Sequence, residues 1–260
     1  MRTLRLLSMC CLAGSAALAS EARPAVTASA GAGFLNRSFT WQGGTPGQLT
    51  EANSPFAGAV AVDASWFPGA HVTEGVGSWF GLFGEGEIGL GLSAKLANSS
   101  AVFAQSATRL RFGGVVRFPL GERASLLVHG GYARQAFSTS SESVVGTASR
   151  PNTPDVLFEG PRGGLGVQAR LGERWALEVL AGGQYVMGLG ELGMAKWFPQ
   201  ASAFALDAGA GLSVQLAEHV RLRLSLKWQR TFLTLESNTF RAESAAEQYL
   251  SGALTFQWAM

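Results

Sequence analysis

The stretch RLRLSLKWQR, residues 221–230, sorts its side chains into two rows. Arg221, Arg223, Ser225, Lys227 and Gln229 form a polar row; Leu222, Leu224, Leu226 and Trp228 form an apolar one. A helix, repeating every 3.6 residues, would scatter this pattern round its circumference, whereas a strand, alternating with a period of two, separates the rows cleanly. The same alternation recurs along most of the chain and restricts its fold more than any other feature. It explains how a chain that is 47% hydrophobic and only 15% charged has, after its first residues, no run near the roughly 18 apolar residues of a membrane helix.

Three segments share one plan: a strand of about ten residues, a tight polar turn, then another such strand. They are ATRLRFGGVVRF-PLGER-ASLLVHGGYAR (107–134), PRGGLGVQAR-LGER-WALEVLAGGQY (161–185) and FALDAGAGLSVQL-AEH-VRLRLSLKWQR (204–230). The return of LGER at 120–123 and 171–174 marks an internal repeat of hairpins. With the ends added, the pattern predicts ten strands, at 25–34, 55–66, 79–93, 107–118, 124–134, 159–170, 175–186, 203–216, 220–230 and 248–258. The Ser-, Thr-, Asn- and Pro-rich stretches 94–106, 135–155, 187–202 and 231–248 read as long loops. Long and short connections then alternate, with 67–78 as a loose member of the short class.

One row carries Val60, Val62, Trp66, Leu82, Ile88, Leu90, Leu92, Leu110, Phe112, Val116, Val179, Leu212, Leu254 and Phe256. The other carries Asp63, Glu85, Glu87, Arg109, Arg111, Arg117, His129, Arg162, Arg170, Glu178, Asp207, Arg221, Arg223 and Lys227, with many glycines and alanines between them. A soluble β-sandwich would bury the first row; a transmembrane barrel would turn it to lipid and the second row to its lumen. Small residues in the polar row suit a crowded interior. Aromatics at Trp66, Trp79, Phe118, Trp175, Tyr185, Phe204 and Trp228 suit interfacial girdles. The expected fold is an all-β, ten-stranded antiparallel transmembrane β-barrel over residues 20–260, with eight or twelve strands as alternatives.

The opening residues MRTLRLLSMCCLAGSAALA have early arginines, an apolar stretch and a small-residue site at Ala17-Leu18-Ala19, and read as a signal peptide spanning 1–19. Its removal takes away both cysteines, Cys10 and Cys11, so disulfide and thiol chemistry are excluded from the mature chain. It also takes Arg2 and Arg5, leaving eighteen cations against eighteen acids and no charge argument for nucleic acid.

The thirteen charged residues of the inward row, His129 excluded, make the candidate site. Glu85 and Glu87 precede Arg109 and Arg111 by one strand, and Asp207 precedes Lys227 by one, so ion-pair ladders between neighbouring strands are expected. A lumen filled by such pairs gives a non-catalytic barrel with a structural or surface role. Its eight cations against five acids would suit a narrow, weakly anion-preferring pore. A barrel subunit of an adhesion, secretion or gliding-motility complex is a third reading, and a hydrolase using His129 a fourth. The histidines are His71, His129 and His219, with no nucleophile elbow and no metal-ligand spacing, so no cofactor is expected. The expected contact regions for envelope partners are the outer loops 135–157 and 231–248.

The final stretch YLSGALTFQWAM alternates Leu254, Phe256 and Trp258. With the ten alternating segments and the LGER turns, it resembles the small Gram-negative outer-membrane β-barrels of the OmpA membrane-domain, OmpW and opacity types. The resemblance implies an outer-membrane location, lipid as surrounding solvent, and recognition of the last strand by the barrel-assembly machinery. The chain departs from those families by ending in Ala259-Met260 rather than in an aromatic residue. Omptin-type outer-membrane proteases also have ten strands, but their acidic and histidine catalytic residues find no match here.

Overall fold

The computed structural model describes residues 24–43, 49, 52–73, 75–95, 101–145, 153–236 and 241–260. The expected leader, 1–19, lies outside them. Twelve strands follow in order: β1 (Val26–Gly43), β2 (Ala52–Trp66), β3 (Phe80–Leu90), β4 (Ser93–Lys95), β5 (Val102–Pro119), β6 (Ala124–Val145), β7 (Val156–Arg170), β8 (Trp175–Val186), β9 (Gly188–Gly190), β10 (Ser202–Ala217), β11 (Val220–Thr234) and β12 (Ala242–Ala259). Ten of them form one antiparallel ring, β3-β2-β1-β12-β11-β10-β8-β7-β6-β5, closed by pairing of β3 with β5. The three-residue β4 and β9 are additions to β5 and β7. The fold is thus a closed ten-stranded β-barrel.

Closure follows from the hairpin repeat. Both LGER turns place glycine in the left-handed region, Gly121 at φ 83° and Gly172 at φ 95°, where residues with a Cβ are strained. They close alike, Leu120 N–H donating to Ala124 O at 2.9 Å and Leu171 N–H to Trp175 O at 2.8 Å. These turns, the 217–220 turn and the 67–79 link with its two 3-10 turns lie at the end where Val26 pairs with Met260. In outer-membrane barrels that end faces the periplasm.

The outward row forms an apolar belt. Val62, Leu82, Ile88, Leu110, Phe112, Val179, Leu224 and Leu254 are all exposed, on a scale that water does not tolerate and lipid does. Trp66, Trp175 and Trp258 stand outward at the periplasmic edge, with Trp79 edge-on to Phe118 at 5.7 Å. At the outer edge, Tyr185, Phe204 and Phe232 lie side by side on β8, β10 and β11, the two phenylalanines stacked at 4.9 Å. Trp228, expected in a girdle, sits in mid-strand because β11 continues to Thr234.

The strands run well past their expected outer ends. Much of 94–106, 135–155 and 231–248 is paired strand rather than loop: β5 starts at Val102, β6 ends at Val145 and β12 starts at Ala242. The physical reason is an exchange of polarity at constant parity. On β1 the inward row continues as Leu35, Arg37 and Phe39, while the outward row becomes Asn36, Ser38 and Thr40. Above the lipid the outward side is wet, so serine and threonine mark a solvated wall there. Ser106 and Ser138 share a 2.7 Å hydroxyl hydrogen bond on that outer face.

One apolar residue leaves the outward row. Leu92 is 3% exposed, because Gly91, at φ 66°, reverses the facing of the chain after β3.

An arginine in the belt, Leu224→Arg, is expected to cost about 2–4 kcal/mol in urea titrations of the barrel in lipid vesicles. Ala104→Arg, outward but above the belt, should stay within about 0.5 kcal/mol. Equal costs at the two positions would remove the lipid-belt assignment.

Candidate functional site

All thirteen charged residues of the inward row face the lumen, but their pairing differs from the expected ladders. Lys227 Nζ reaches Glu85 Oε2 at 2.7 Å, not Asp207 on the neighbouring strand. Asp207 instead takes Arg162, through Nη2 at 2.5 Å and Nε at 3.0 Å, and Arg111 Nη2 at 3.4 Å. Arg223 lies between Glu178 at 3.0 Å and Asp63 at 3.5 Å. A looser contact of 4.0 Å joins Arg111 to Glu85. Most of these pairs bridge the lumen instead of climbing its wall, because long side chains on the concave face of a narrow ring converge towards its axis.

Four cations (Arg111, Arg162, Arg223, Lys227) and four acids (Asp63, Glu85, Glu178, Asp207) make this network. Its formal charge is zero, the condition under which buried ions offset one another's desolvation. Uncharged partners complete it: Ser29 Oγ donates to Asp63 at 2.6 Å and Arg111 Nη2 to Gln229 Oε1 at 3.1 Å. Glycines make the room. A Cβ on Gly182 would lie 2.8 Å from Arg162 Nη2, and one on Gly211 would lie 3.1 Å from Arg223 Nε.

The remaining five behave differently. Glu87 accepts hydrogen bonds from Tyr249 OH at 2.7 Å and Ser251 Oγ at 3.0 Å, not from Arg109, its cross-strand register partner. Arg109 is buried, its guanidinium 5.5 Å from the Tyr249 ring centroid. Arg117 donates to Pro24 O at 3.3 Å and lies over the Phe67 ring at 4.0 Å. Arg170 and Arg221 stand at the periplasmic mouth.

Above the charges lies a second layer that sequence reasoning did not find. Leu35, Phe39, Phe137, Val156, Phe158 and Leu233 belong to one buried apolar cluster with contributions from every barrel strand except β3. The 191–201 segment, expected as an outer loop, turns inward and adds Leu192, Trp197 and Phe198. Hydrogen bonds hold it there: Phe198 N–H to Leu192 O at 2.9 Å, and Asp155 N–H to Glu191 Oε2 at 3.0 Å. Within this layer, Arg37 and Glu247 form a pair at 2.8 Å, each side chain 1% exposed. Gln135 Nε2 donates to Glu247 at 2.8 Å and the Phe137 ring sits 3.6 Å from the Arg37 guanidinium. The signal was the unbroken parity of Leu35, Arg37 and Phe39 beyond the strand end assigned at residue 34.

Among the described residues no group of three His, Cys, Asp or Glu side chains could hold a metal ion. His129, on the inward row, meets the Phe83 ring edge-on at 5.2 Å; His71 and His219 lie in the periplasmic connections.

No protein-family model and no curated protein sequence matches the chain. Solved structures do. The outer membrane protease OmpT of Escherichia coli is 9% identical, aligned over 94% of this chain and 99% of its own, with a TM-score of 0.57. The translocator domain of the autotransporter NalP of Neisseria meningitidis is 13% identical over 93% of this chain and 91% of its own, at 0.44. Neisserial surface protein A is 10% identical over 91% and 97%, at 0.35. At such identities the likeness to OmpT shows the fold alone, that of an outer-membrane β-barrel.

Asp207→Asn removes the shared counter-ion of Arg111 and Arg162 and is expected to cost about 3–5 kcal/mol in equilibrium unfolding. Replacing the pair together, Arg162→Met with Asp207→Leu, should cost less than the single change. A single variant as stable as the parent would show that the network contributes nothing.

Proposed function

We propose that this chain is a closed, non-catalytic barrel of the Gram-negative outer membrane, with a structural or surface role. The apolar layer across the outer half of the lumen carries this reading. Side chains from nine barrel strands and the inturned 191–201 segment meet there in one buried apolar cluster. The neutral ion-pair network beneath supports the same reading, since it would add a second obstruction of different chemistry. An ion entering from outside would first have to cross hydrocarbon, which argues against the narrow anion-preferring pore.

The outer-membrane location is supported by the lipid belt, the periplasmic position of the short turns and the OmpT-like fold. Placement nearer the OmpA, OmpW or opacity types rests on the alternating segments and the last strand, as does recognition by the barrel-assembly machinery. Contacts with envelope partners would fall on the outward faces of the extended strands, since 135–145 and 242–248 are wall, not loop.

The refolded barrel is expected to give no steady conductance in planar bilayers. A Leu192→Ser, Trp197→Ser, Phe198→Ser variant, opening the outer layer, should raise current noise or leak. Stepwise, reproducible channels from the unaltered protein would overturn the closed reading. Hydrolysis of lipid or peptide substrates that disappears in His129→Ala would overturn the non-catalytic one.

A further inference from the structure

The ion-pair network is neutral as a whole but not evenly so. Arg223 lies between two acids, Glu178 and Asp63, whereas Arg111 and Arg162 share one, Asp207. Positive charge is in surplus towards the outer half of the lumen, and Arg109 adds to it. Arg109 precedes Arg111 by two residues on β5, so the two cations stand one inward step, about 6.6 Å, apart on the same wall. Glu87, opposite Arg109 in the ladder, is taken by Tyr249 and Ser251. Arg109 itself is 4% exposed, and none of its three guanidinium nitrogens has a hydrogen-bond partner. Arg111 Nε and Gln229 Nε2 are likewise buried without an acceptor, and Gln229 is tied to Arg111 through its amide oxygen.

A cavity of about 10 Å³ lies among Glu85, Gly86, Glu87, Arg109, Arg111 and Lys227. Room of that size admits one particle about as large as a water molecule. Three cations against two acids line it, a surplus of one positive charge. On its outer side it meets the apolar layer: Ala107, the next inward residue of β5, and Tyr249 both belong to that buried cluster. On its other side, Glu85 and Lys227 also line a larger cavity of about 110 Å³ that reaches Pro24, Arg117 and Arg221 at the periplasmic end. Entry therefore comes from the periplasm, past the Glu85–Lys227 pair.

We propose that the small cavity binds one chloride ion, held by the Arg109 guanidinium with Arg111 beside it. The groups without partners at this level of the lumen are all N–H donors, and an arginine has no acceptor to offer in exchange. A water molecule would accept from two of them, but it would have to place its own hydrogens and would leave the surplus charge facing hydrocarbon. A halide accepts from every donor that reaches it, and its single negative charge brings the lining to neutrality. Phosphate, sulfate and organic acids exceed the room. The site goes beyond the closed-barrel reading and does not depend on it, since it needs the buried charge surplus and not a blocked axis.

The test uses the complete barrel. Crystals soaked in sodium bromide and measured at the bromine absorption edge are expected to show an anomalous peak within hydrogen-bonding reach of the Arg109 guanidinium. In lipid vesicles, chloride replacing gluconate at fixed ionic strength should raise the folding constant saturably. The rise is about tenfold between about 2 and 200 mM chloride, as a dissociation constant of about 20 mM gives. Arg109→Gln should lose both the peak and the chloride dependence while keeping the heat-modifiable gel shift of the folded barrel. The proposal is overturned if no peak appears at Arg109, or if the folding constant is the same in chloride and gluconate. A peak without chloride dependence marks an adventitious ion only and overturns it too, as does a folded Arg109→Gln protein that keeps the dependence. Should that variant not fold, the first two measurements on the unaltered protein decide. Channels in planar bilayers would change neither result, so failure of the closed reading and failure of the chloride site are told apart.

Discussion

A strand immersed in hydrocarbon has no water to bond its N–H and C=O groups, so each edge must find another edge. Everything else in this molecule descends from that demand. The seam at which β3 meets β5 completes the circuit, with Glu85 opposite Arg111 and Phe80 opposite Val116. Once the ring is shut, every side chain has two destinations, and lipid refuses charge in one of them. The charged half of each strand is therefore driven inward, where ten strands leave little space. There the ions meet one another and a few hydroxyl and amide groups, four cations against four acids.

The barrel has two interiors stacked along one axis. In the lipid layer the inside is ionic and the outside greasy; above it the inside is greasy and the outside hydroxylated. β1 passes through the change without altering its pleat, while β2 takes a bulge between Ser54 and Ala57 that keeps Ser54 facing inward, so a single scaffold serves as membrane protein below and as water-soluble protein above. The closed reading rests on this inversion. A lumen polar along its whole length could hold a continuous thread of water; the proposed closure is that the buried apolar layer would interrupt one. Arg37 and Glu247 survive inside that layer because they have each other, Gln135 and the Phe137 ring.

Which way each side chain points was legible from the sequence because facing depends only on parity, and parity needs no knowledge of neighbours. That is why Arg111, Glu178 and Lys227 were assigned to the lumen and found there. Partners were not legible, because they depend on barrel width and side-chain reach. Lys227 skips the adjacent strand for Glu85, while Arg109 stands beside Glu87 in the ladder and does not pair with it. Strand ends failed for a third reason. The serines at 138–141 look like loop if water is imagined only at loops, yet they stand on the outward side or rim of a strand whose Thr139 is turned inward. Leu92 was misplaced by one glycine that reverses the alternation, a local event that an average over the strand conceals.

The 22 residues of β6 are about twice the 9–11 that cross a bilayer at a tilt. The surplus raises the rim on a stiff hydrogen-bonded collar instead of on pliant loops. Such a collar constrains how its outer face can diversify. A substitution at an outward position leaves the architecture alone, but inserting or deleting one residue turns every later side chain of that strand inside out. Variation in this collar should therefore accumulate as exchanges, or as paired insertions that preserve the pleat. An antibody raised against it would read a lattice of fixed side chains and not the shape of a wandering segment.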